Sequence, residues 1–397
     1  MEDALRSRVA TVWPAIGFTG TVPSKIIPVI VPLSRLGAEQ GMSTSSVFIG
    51  YFVDEADVWL PSRPLIVKIG RSDLLRRELA SGEDWPTSLL DGTQGAFAVP
   101  FHVYEAETDT VLVAPFSGYN ILEKSRERHR WSLEIRDIWS ILHDGEADNS
   151  KDQIESDLFR VIHELYGTMQ IVHTRGRKHC EREQFVYEDE YRWYMRGLDD
   201  PSSTNCRFSD ELFGVGSETS MFGETWVNPR IVLEAIKKRE FTGAVGAVHG
   251  DLHPKNVVLD RRGQVRVIDF GWATSRGHIV RDFVLMEINL RAMTSRSQVP
   301  LDQILAASRV LNENDFQSNA DLNMVIEKDA RLQLVRDAIR KPLQENGYVD
   351  NWLDEYLIPL FIVSYGLIKH LDRARCQQAL LGLVLTTANA VFQGIAS

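Results

Sequence analysis

Residues 247–273 constrain this chain more than any other stretch. Two short apolar runs, Val257–Leu259 and Val265–Ile268, flank a turn at Asp260–Gly263. That pattern predicts a β-hairpin. Asp251 and Asn256 precede its first strand, and Asp269 follows its second. A hairpin gathers such groups at one end of a rigid element. Three oxygen-bearing side chains placed together suit a hard cation such as Mg²⁺, with a proton acceptor beside it. The plainer alternative is that Asp and Asn merely serve turns and caps there.

The order of these residues carries a resemblance. His249-Gly250-Asp251-Leu252-His253-Pro254-Lys255-Asn256, followed by Val267-Ile268-Asp269-Phe270-Gly271, resembles the aminoglycoside phosphotransferase/choline kinase family. Its D-x-x-x-x-N spacing and following D-F-G match the kinase pattern. The resemblance implies an α+β, bilobal protein-kinase-like fold. Residues 1–118 would form a small, mainly antiparallel β lobe that binds nucleotide. Residues 119–397 would form a larger, mainly helical catalytic and substrate lobe, with an insertion around 185–226. It also implies roles. Asp251 would accept or orient the proton of the attacking hydroxyl, and Asn256 and Asp269 would bind Mg²⁺. Lys68 would steady the α- and β-phosphates of ATP, held by Glu78. Backbone groups near Ala114 and Phe116 would meet adenine. His249 and His253 would support the loop. Lys255 departs from the family, which usually has a small residue there.

Upstream residues fall in the order this requires. Ile26–Val31 is a β-branched run interrupted by Pro28, which suits an edge strand. Gly37–Ser46, with Gly41 and Ser43, then leads into Val47–Val53. Strand, glycine- and serine-rich turn, strand is the layout of a phosphate-covering loop, although an ordinary hairpin turn reads the same way. Leu65–Ile69 is an apolar strand carrying Lys68, and Ser72–Ala80 is a helix with Ser72 as N-cap. A buried lysine there needs a carboxylate, and Glu78 has the reach. The bland versions are an edge lysine in water and a solvated glutamate. Phe97–Tyr104 and Thr110–Ala114 form a further hairpin.

The remainder reads as helical. Leu158–His173 has helical apolar spacing, and Trp226–Glu240 is expected to be a helix. Phe185–Tyr194 mixes carboxylates with aromatic rings. It would hold an organic cation, or be an amphipathic helix with its rings inward. Pro201–Gly223 reads as a long Ser- and Gly-rich loop, a lid or disordered. Lys124–Arg130 reads as a charged, solvated helix face. A helix begins at Arg281–Glu287, with Asp282 at its start as the resembled family often has. Ala379–Ala396 reads as a buried C-terminal helix in preference to a membrane span.

Composition excludes more than it assigns. A formal net charge of −11 disfavours nucleic acid as a partner. Three well-separated cysteines and no C-x-x-C imply neither zinc site nor disulfide framework, and His173, His179 and Cys180 lack a fourth ligand. Absence of a basic-then-apolar start points to a cytoplasmic protein without a membrane partner. The leading expectation is a Mg-ATP-dependent phosphotransferase acting on a small-molecule hydroxyl. Acidic residues in 188–200 tilt the acceptor toward a cation such as an aminoglycoside or amino alcohol, and the missing Ala-Pro-Glu argues against a protein kinase. The rivals are a kinase-like regulatory or nucleotide-binding protein of a larger bacterial system, or a protein kinase or nucleotidyl transferase on this fold.

Overall fold

A computed structural model describes residues 25–29, 46–53, 65–85, 96–100, 102–105, 110–115, 120–123, 131–134, 136–138, 141, 151–177, 180–260, 262–294, 300–313, 335–340, 343, 352–374 and 376–396. The chain divides into two compact units, each discontinuous in sequence. Residues 1–144 and 249–275 form the first, and residues 145–248 and 276–397 form the second.

The first unit is built on a five-stranded antiparallel sheet. Its strands are β1 (Lys25–Val29), β2 (Ser46–Val53), β3 (Leu65–Gly70), β4 (His102–Glu105) and β5 (Thr110–Pro115), ordered β1-β2-β3-β5-β4. β1 lies at the edge, where Pro28 costs no ladder hydrogen bond. β3 is central, and its register sets Ile66 opposite Ala114 and Lys68 opposite Leu112. Helix α1 (Ser72–Glu83) follows β3 directly. Its N-cap is Arg71 and not Ser72, and the Arg71 guanidinium is engaged by Asp73, 2.6 Å away. Gly70 ends the strand two residues before the helix starts, so Ser72 already sits in the first turn.

The 247–273 stretch forms the expected hairpin. β13 (Val257–Leu259) pairs with β14 (Val265–Val267), with Val258 opposite Arg266. The Asp260 carboxylate closes the turn by accepting from the backbone N–H groups of Arg262 and Gln264 at 2.8 and 3.0 Å. Strand β8 (Arg136–Asp137) pairs with β13 on the other side. Residues 96–98 leave the hairpin expected for them. Val267 donates to the Ala96 carbonyl at 2.7 Å, and Ala98 donates to the Val267 carbonyl at 2.8 Å. Pro100 explains the split, since it has no N–H to continue a ladder toward β4. β6 (Asn120–Glu123) and β7 (Trp131–Glu134) pair antiparallel, so the flanks of the charged stretch are strands; residues 124–130 lie outside the described residues.

The second unit is mainly helical. Helix α2 (Lys151–His173) buries Leu158, Val161, Ile162, Leu165, Met169 and Val172 as their spacing predicted, while Ile171, read as part of the same face, is exposed. A three-stranded sheet, β9 (Glu181–Val186), β12 (Glu240–Val248) and β15 (Thr274–His278), runs in the order β15-β12-β9. Short helices α3 (Tyr187–Glu190) and α4 (Arg192–Met195) bury Tyr187, Tyr191 and Tyr194 and leave Asp189 and Arg192 exposed. The inward rings of the amphipathic reading are present, but Phe185 and Val186 belong to β9 and the helix is two short turns instead of one.

Residues 201–223 are not a loop. Helix α5 (Thr204–Phe213) is capped by Ser203, whose hydroxyl accepts from Asn205 N–H, and it buries Cys206, Ser209 and Phe213. A hairpin follows, β10 (Glu218–Met221) with β11 (Glu224–Val227), and its turn places both Phe222 and Gly223 at positive φ. The Ser and Gly residues that suggested disorder are caps and turn positions. Trp226 and Val227 belong to β11, so the following helix, α6 (Pro229–Ile236), is shorter than expected. It starts after Asn228, whose side-chain oxygen accepts from Arg230 N–H.

Among the described residues this unit also contains α7 (Val280–Thr294), α8 (Leu301–Glu313), helical residues 335–340, α9 (Trp352–Leu367), a 3-10 turn (Ile368–Arg373) and α10 (Gln377–Ala396). Residues 377–395 are long and apolar enough to cross a membrane by length and composition, yet 61% of that window is buried among the other helices. Asp282, in the first turn of α7, accepts from or pairs with the ring of His173 at 3.2 Å, both wholly buried. Glu355 holds Ala244 N–H at 2.6 Å and His278 Nε2 at 3.0 Å, while Tyr191 reaches His278 Nδ1 at 2.7 Å.

Close packing of α2 on β12 depends on Gly246. A Cβ added there would sit 2.0 Å from the His173 carbonyl oxygen, a backbone atom that cannot step aside. Gly246→Ala is expected to cost about 2–3 kcal/mol, readable as a lower denaturant midpoint at unchanged m-value.

Candidate active site

The sequence-predicted residues that are described converge within the first unit. Lys68 stands on the central strand β3, and Glu78 stands two turns into α1. Lys68 Nζ meets Glu78 Oε1 at 2.6 Å, with both side chains largely buried. The same ammonium lies 3.3 Å from Asp269 Oδ1. One lysine thus bridges a helix carboxylate and the carboxylate that follows the hairpin. Burial alone would strip its charge, but Asp269 and then Glu78 outweigh burial and raise its pKa, so Lys68 stays protonated at neutral pH.

The opposite bookend is a carboxylate surplus. Burial raises the Glu78 carboxyl, Lys68 opposes and Asp269 adds to the rise, which takes it up to about 7. Asp269 is itself opposed by desolvation but held below its usual value by Lys68 and His249. Its backbone is left-handed, at φ 68°. A non-glycine residue in that region is held there by its surroundings.

Asp251 and Asn256 are joined locally. The Asn256 amide nitrogen donates to the Asp251 carbonyl at 2.8 Å and approaches Asp251 Oδ2 at 3.4 Å. A 3-10 turn, Pro254–Asn256, makes this possible, with His253 Nδ1 accepting from Lys255 N–H at 3.2 Å. Asn256 O in turn accepts from Ile268 N–H at 3.0 Å, tying this loop to the residue before Asp269. His249, fully buried, donates from Nε2 to the Ile268 carbonyl at 3.0 Å. His249 and Asn256 therefore fix both sides of Ile268, and through it Asp269.

His253 faces Asp251, its Nε2 3.7 Å from Oδ2. Burial dominates its titration; Asp269 opposes, His249 and Lys255 reinforce, and the ring is pushed down to about 4. At neutral pH it is uncharged. Because Nδ1 accepts from Lys255, the proton resides on Nε2, toward Asp251.

One part of this site was not anticipated from sequence. Trp85, Phe97 and Phe270 form an aromatic box around His249, with ring centroids 5.2 Å apart for Trp85–Phe270 and 5.0 Å for His249–Phe270. Phe270 supplied the one clue, as the middle residue of Asp-Phe-Gly. Arg77 of α1 stacks 4.4 Å over Trp272, a second link between this helix and the stretch after Asp269. Ala114 is buried on β5, and its register places it two residues along the same sheet face from Lys68, roughly 7 Å. Gly41, Ser43 and Phe116 lie outside the described residues.

Two carboxylates and one amide oxygen form a hard donor set. The Asn256 nitrogen is committed to Asp251, which leaves its oxygen for a cation. Among the described residues no group of three or more His, Cys, Asp or Glu could hold a metal on its own. Oxygen donors of this kind suit a hard cation.

Residues 143–369, more than half of the chain, match the family described as ternary complex associated domain 9. The chain belongs to this family. The match is to that family and not to the aminoglycoside phosphotransferases. Members of the latter are nevertheless similar to it among solved structures. A GDP complex of an aminoglycoside 2'-phosphotransferase-IIIa mutant aligns at TM-score 0.43 and 12% identity, over 100% of this chain and 95% of that one. An aminoglycoside-3'-phosphotransferase of type VIII aligns at TM-score 0.40 and 15% identity, over 92% and 98%. Aminoglycoside phosphotransferase APH(3'')-Id from Streptomyces rimosus aligns at TM-score 0.35 and 13% identity, over 96% and 98%. At these values the likeness carries no residue-level equivalence. No curated protein matches the chain. For this ternary complex associated domain 9 member, the chemistry rests on its own geometry.

Proposed function

We propose that this protein is a Mg-ATP-dependent phosphotransferase with a protein-kinase-like fold, moving the γ-phosphoryl group to a small-molecule hydroxyl. The observation that carries it is Lys68 held between Glu78 at 2.6 Å and Asp269 at 3.3 Å. A lysine fixed by a helix carboxylate and set against a second, metal-competent carboxylate suits a polyphosphate and its cation. Asp251 is the base that accepts the acceptor's hydroxyl proton, and Asn256 and Asp269 hold Mg²⁺. When bound, the cation neutralises charge on the phosphate oxygens. Lys68 positions the phosphates, Glu78 positions Lys68, and the backbone around Ala114 and Phe116 takes the base. Gly41 and Ser43 cover the triphosphate. His253, neutral and protonated on Nε2, orients Asp251.

The acceptor is a small alcohol, cationic ones such as aminoglycosides and amino alcohols included, and the setting is cytoplasmic. The test is a panel of metabolites and antibiotics scored for ADP release and for a phosphorylated product by mass spectrometry. A phosphorylated alcohol with stoichiometric ADP is expected. Release of pyrophosphate with an adenylated product would reassign the reaction to nucleotidyl transfer.

The family's description favours a second reading. A domain associated with a ternary complex suits a kinase-like component of a larger assembly, whose nucleotide site serves partners instead of a free metabolite. Nucleotide binding without turnover of any acceptor would support it.

A further inference from the structure

Helix α1 is tied to the stretch that begins at Asp269 by an ionic, an aromatic and a cation–π contact, and a ligand affects them differently. The ionic tie is Lys68, whose Nζ lies 2.6 Å from Glu78 of α1 and 3.3 Å from Asp269. The aromatic tie is Trp85, just beyond the end of α1, which packs edge-on against Phe270 with ring centroids 5.2 Å apart. The cation–π tie is the Arg77 guanidinium, 4.4 Å from the Trp272 ring centroid. All of these residues belong to the first unit.

A nucleotide with its cation competes for the ionic tie. The Lys68 ammonium turns toward phosphate oxygens and the Asp269 carboxylate toward the metal, so their mutual attraction is spent on the ligand. The aromatic tie fixes only the end of the helix. Trp85 stands seven residues beyond Glu78, roughly 10 Å along at the helical rise. A helix held at one end can still swing at Glu78. Arg77 is the residue next to Glu78, and the cation–π tie uses no group that turns to the ligand. Trp272 is only partly buried, 36% exposed, so packing alone does not place its ring. It sits in a turn closed by Ala273 N–H donating to the Phe270 carbonyl at 3.0 Å. A shift of Trp272 is therefore passed to Phe270 and to Asp269, whose left-handed backbone at φ 68° is held by its surroundings.

We infer that Arg77 and Trp272 are positioning residues, which keep Glu78, and with it Lys68, at its working distance from Asp269 once nucleotide and cation have separated the Lys68–Asp269 pair. The inference rests on the nucleotide reading of the site. Both residues act through others and touch no reacting atom. A cation over an exposed ring is a weak contact, so the effect is several-fold and falls mainly on the metal-dependent part of nucleotide binding, where both Lys68 and Asp269 are engaged.

Titration calorimetry of the full chain with ATP, in Mg²⁺ and in a chelator, tests this. Arg77→Leu and Trp272→Leu should each weaken Mg-ATP about two- to fivefold and metal-free ATP less, so that the preference for Mg-ATP over ATP narrows. A contact that merely stabilised the fold would lower the melting temperature and leave that preference unchanged. Arg77→Lys and Trp272→Phe, which keep a cation and a ring, should recover part of the affinity. The double variant Arg77→Leu/Trp272→Leu should bind no worse than either single one, since all three remove the same contact. Wild type that binds no Mg-ATP would remove the nucleotide reading and this role with it. Wild type that binds Mg-ATP, with the preference unchanged in Arg77→Leu or with losses that simply add in the double variant, would overturn the positioning role alone.

Discussion

Asp251→Asn is expected to lower phosphoryl transfer at least about a hundredfold while leaving the fold intact. The change removes one proton-accepting oxygen and keeps the shape. The Asn256 amide still has its 2.8 Å bond to the residue-251 carbonyl, while its weaker 3.4 Å approach to the side chain and the 3.7 Å approach of His253 Nε2 are altered. Stability should therefore move by no more than about 1 kcal/mol. Nucleotide affinity should change little, since Lys68 and Asp269 are untouched. A loss in kcat with Kd for nucleotide preserved is the expected signature. Retained turnover would remove Asp251 from the base role.

Glu287→Gln is expected to produce the largest loss of stability. Glu287 lies wholly buried in α7 between two guanidiniums. Arg336 grips both oxygens at 2.9 Å, Arg291 reaches one at 3.0 Å, and the Tyr356 hydroxyl donates to the other at 2.7 Å. Neutralising the carboxylate leaves Arg336 charged and sealed from water. Breaking a buried pair in this way costs about 3–5 kcal/mol, or roughly 10 °C in melting temperature for a unit of this size. The same group predicts an acid limb. Burial opposes its ionisation, but Arg336 and Arg291 prevail and hold it at about 2, below the ordinary 4.5. A depressed carboxyl contributes stability that is complete above pH 4.5 and lost as pH falls toward 2. The loss is on the order of 3 kcal/mol. Thermal unfolding between pH 7 and pH 3 should show wild type losing a little over half of this increment, the rest going as pH falls to 2, and Glu287→Gln lacking it. An unchanged melting temperature at pH 7 would refute the network's role.

What could be read in advance was local. The Val257–Leu259 and Val265–Val267 hairpin announces itself because both strands and the Asp260 turn lie within eleven residues. Leu158–His173 shows its buried face through spacing alone. Lys68 and Glu78 are ten apart, one strand and one helix, so reach sufficed to pair them. Elsewhere the deciding partners are distant. Nothing near Trp226 says that it ends a hairpin, because Val227 is fixed by Asn389, 162 positions on. The Ser and Gly residues of 201–223 signal turns correctly, yet not the helix between them, whose burial comes from contacts such as Ser209 with Tyr365. β12 escaped notice since Gly243 and Gly246 dilute its strand pattern, and those glycines exist for close approach to other elements. Glu287 with Arg336, and His278 with Glu355, are 49 and 77 positions apart, beyond any local pattern.

The central claim is that Lys68 and Asp269 hold a nucleotide with its cation. Thermal unfolding of the full chain with ATP, with Mg²⁺, and with both addresses it most directly. A ligand that binds only the folded state at a hundred times its Kd adds about 2.7 kcal/mol. Mg-ATP at millimolar concentration should raise the melting temperature by several degrees, ATP alone by less, and Mg²⁺ alone not at all. Asp269→Asn should erase the difference between Mg-ATP and ATP. No shift with Mg-ATP, or a full shift in Asp269→Asn, would contradict the assignment.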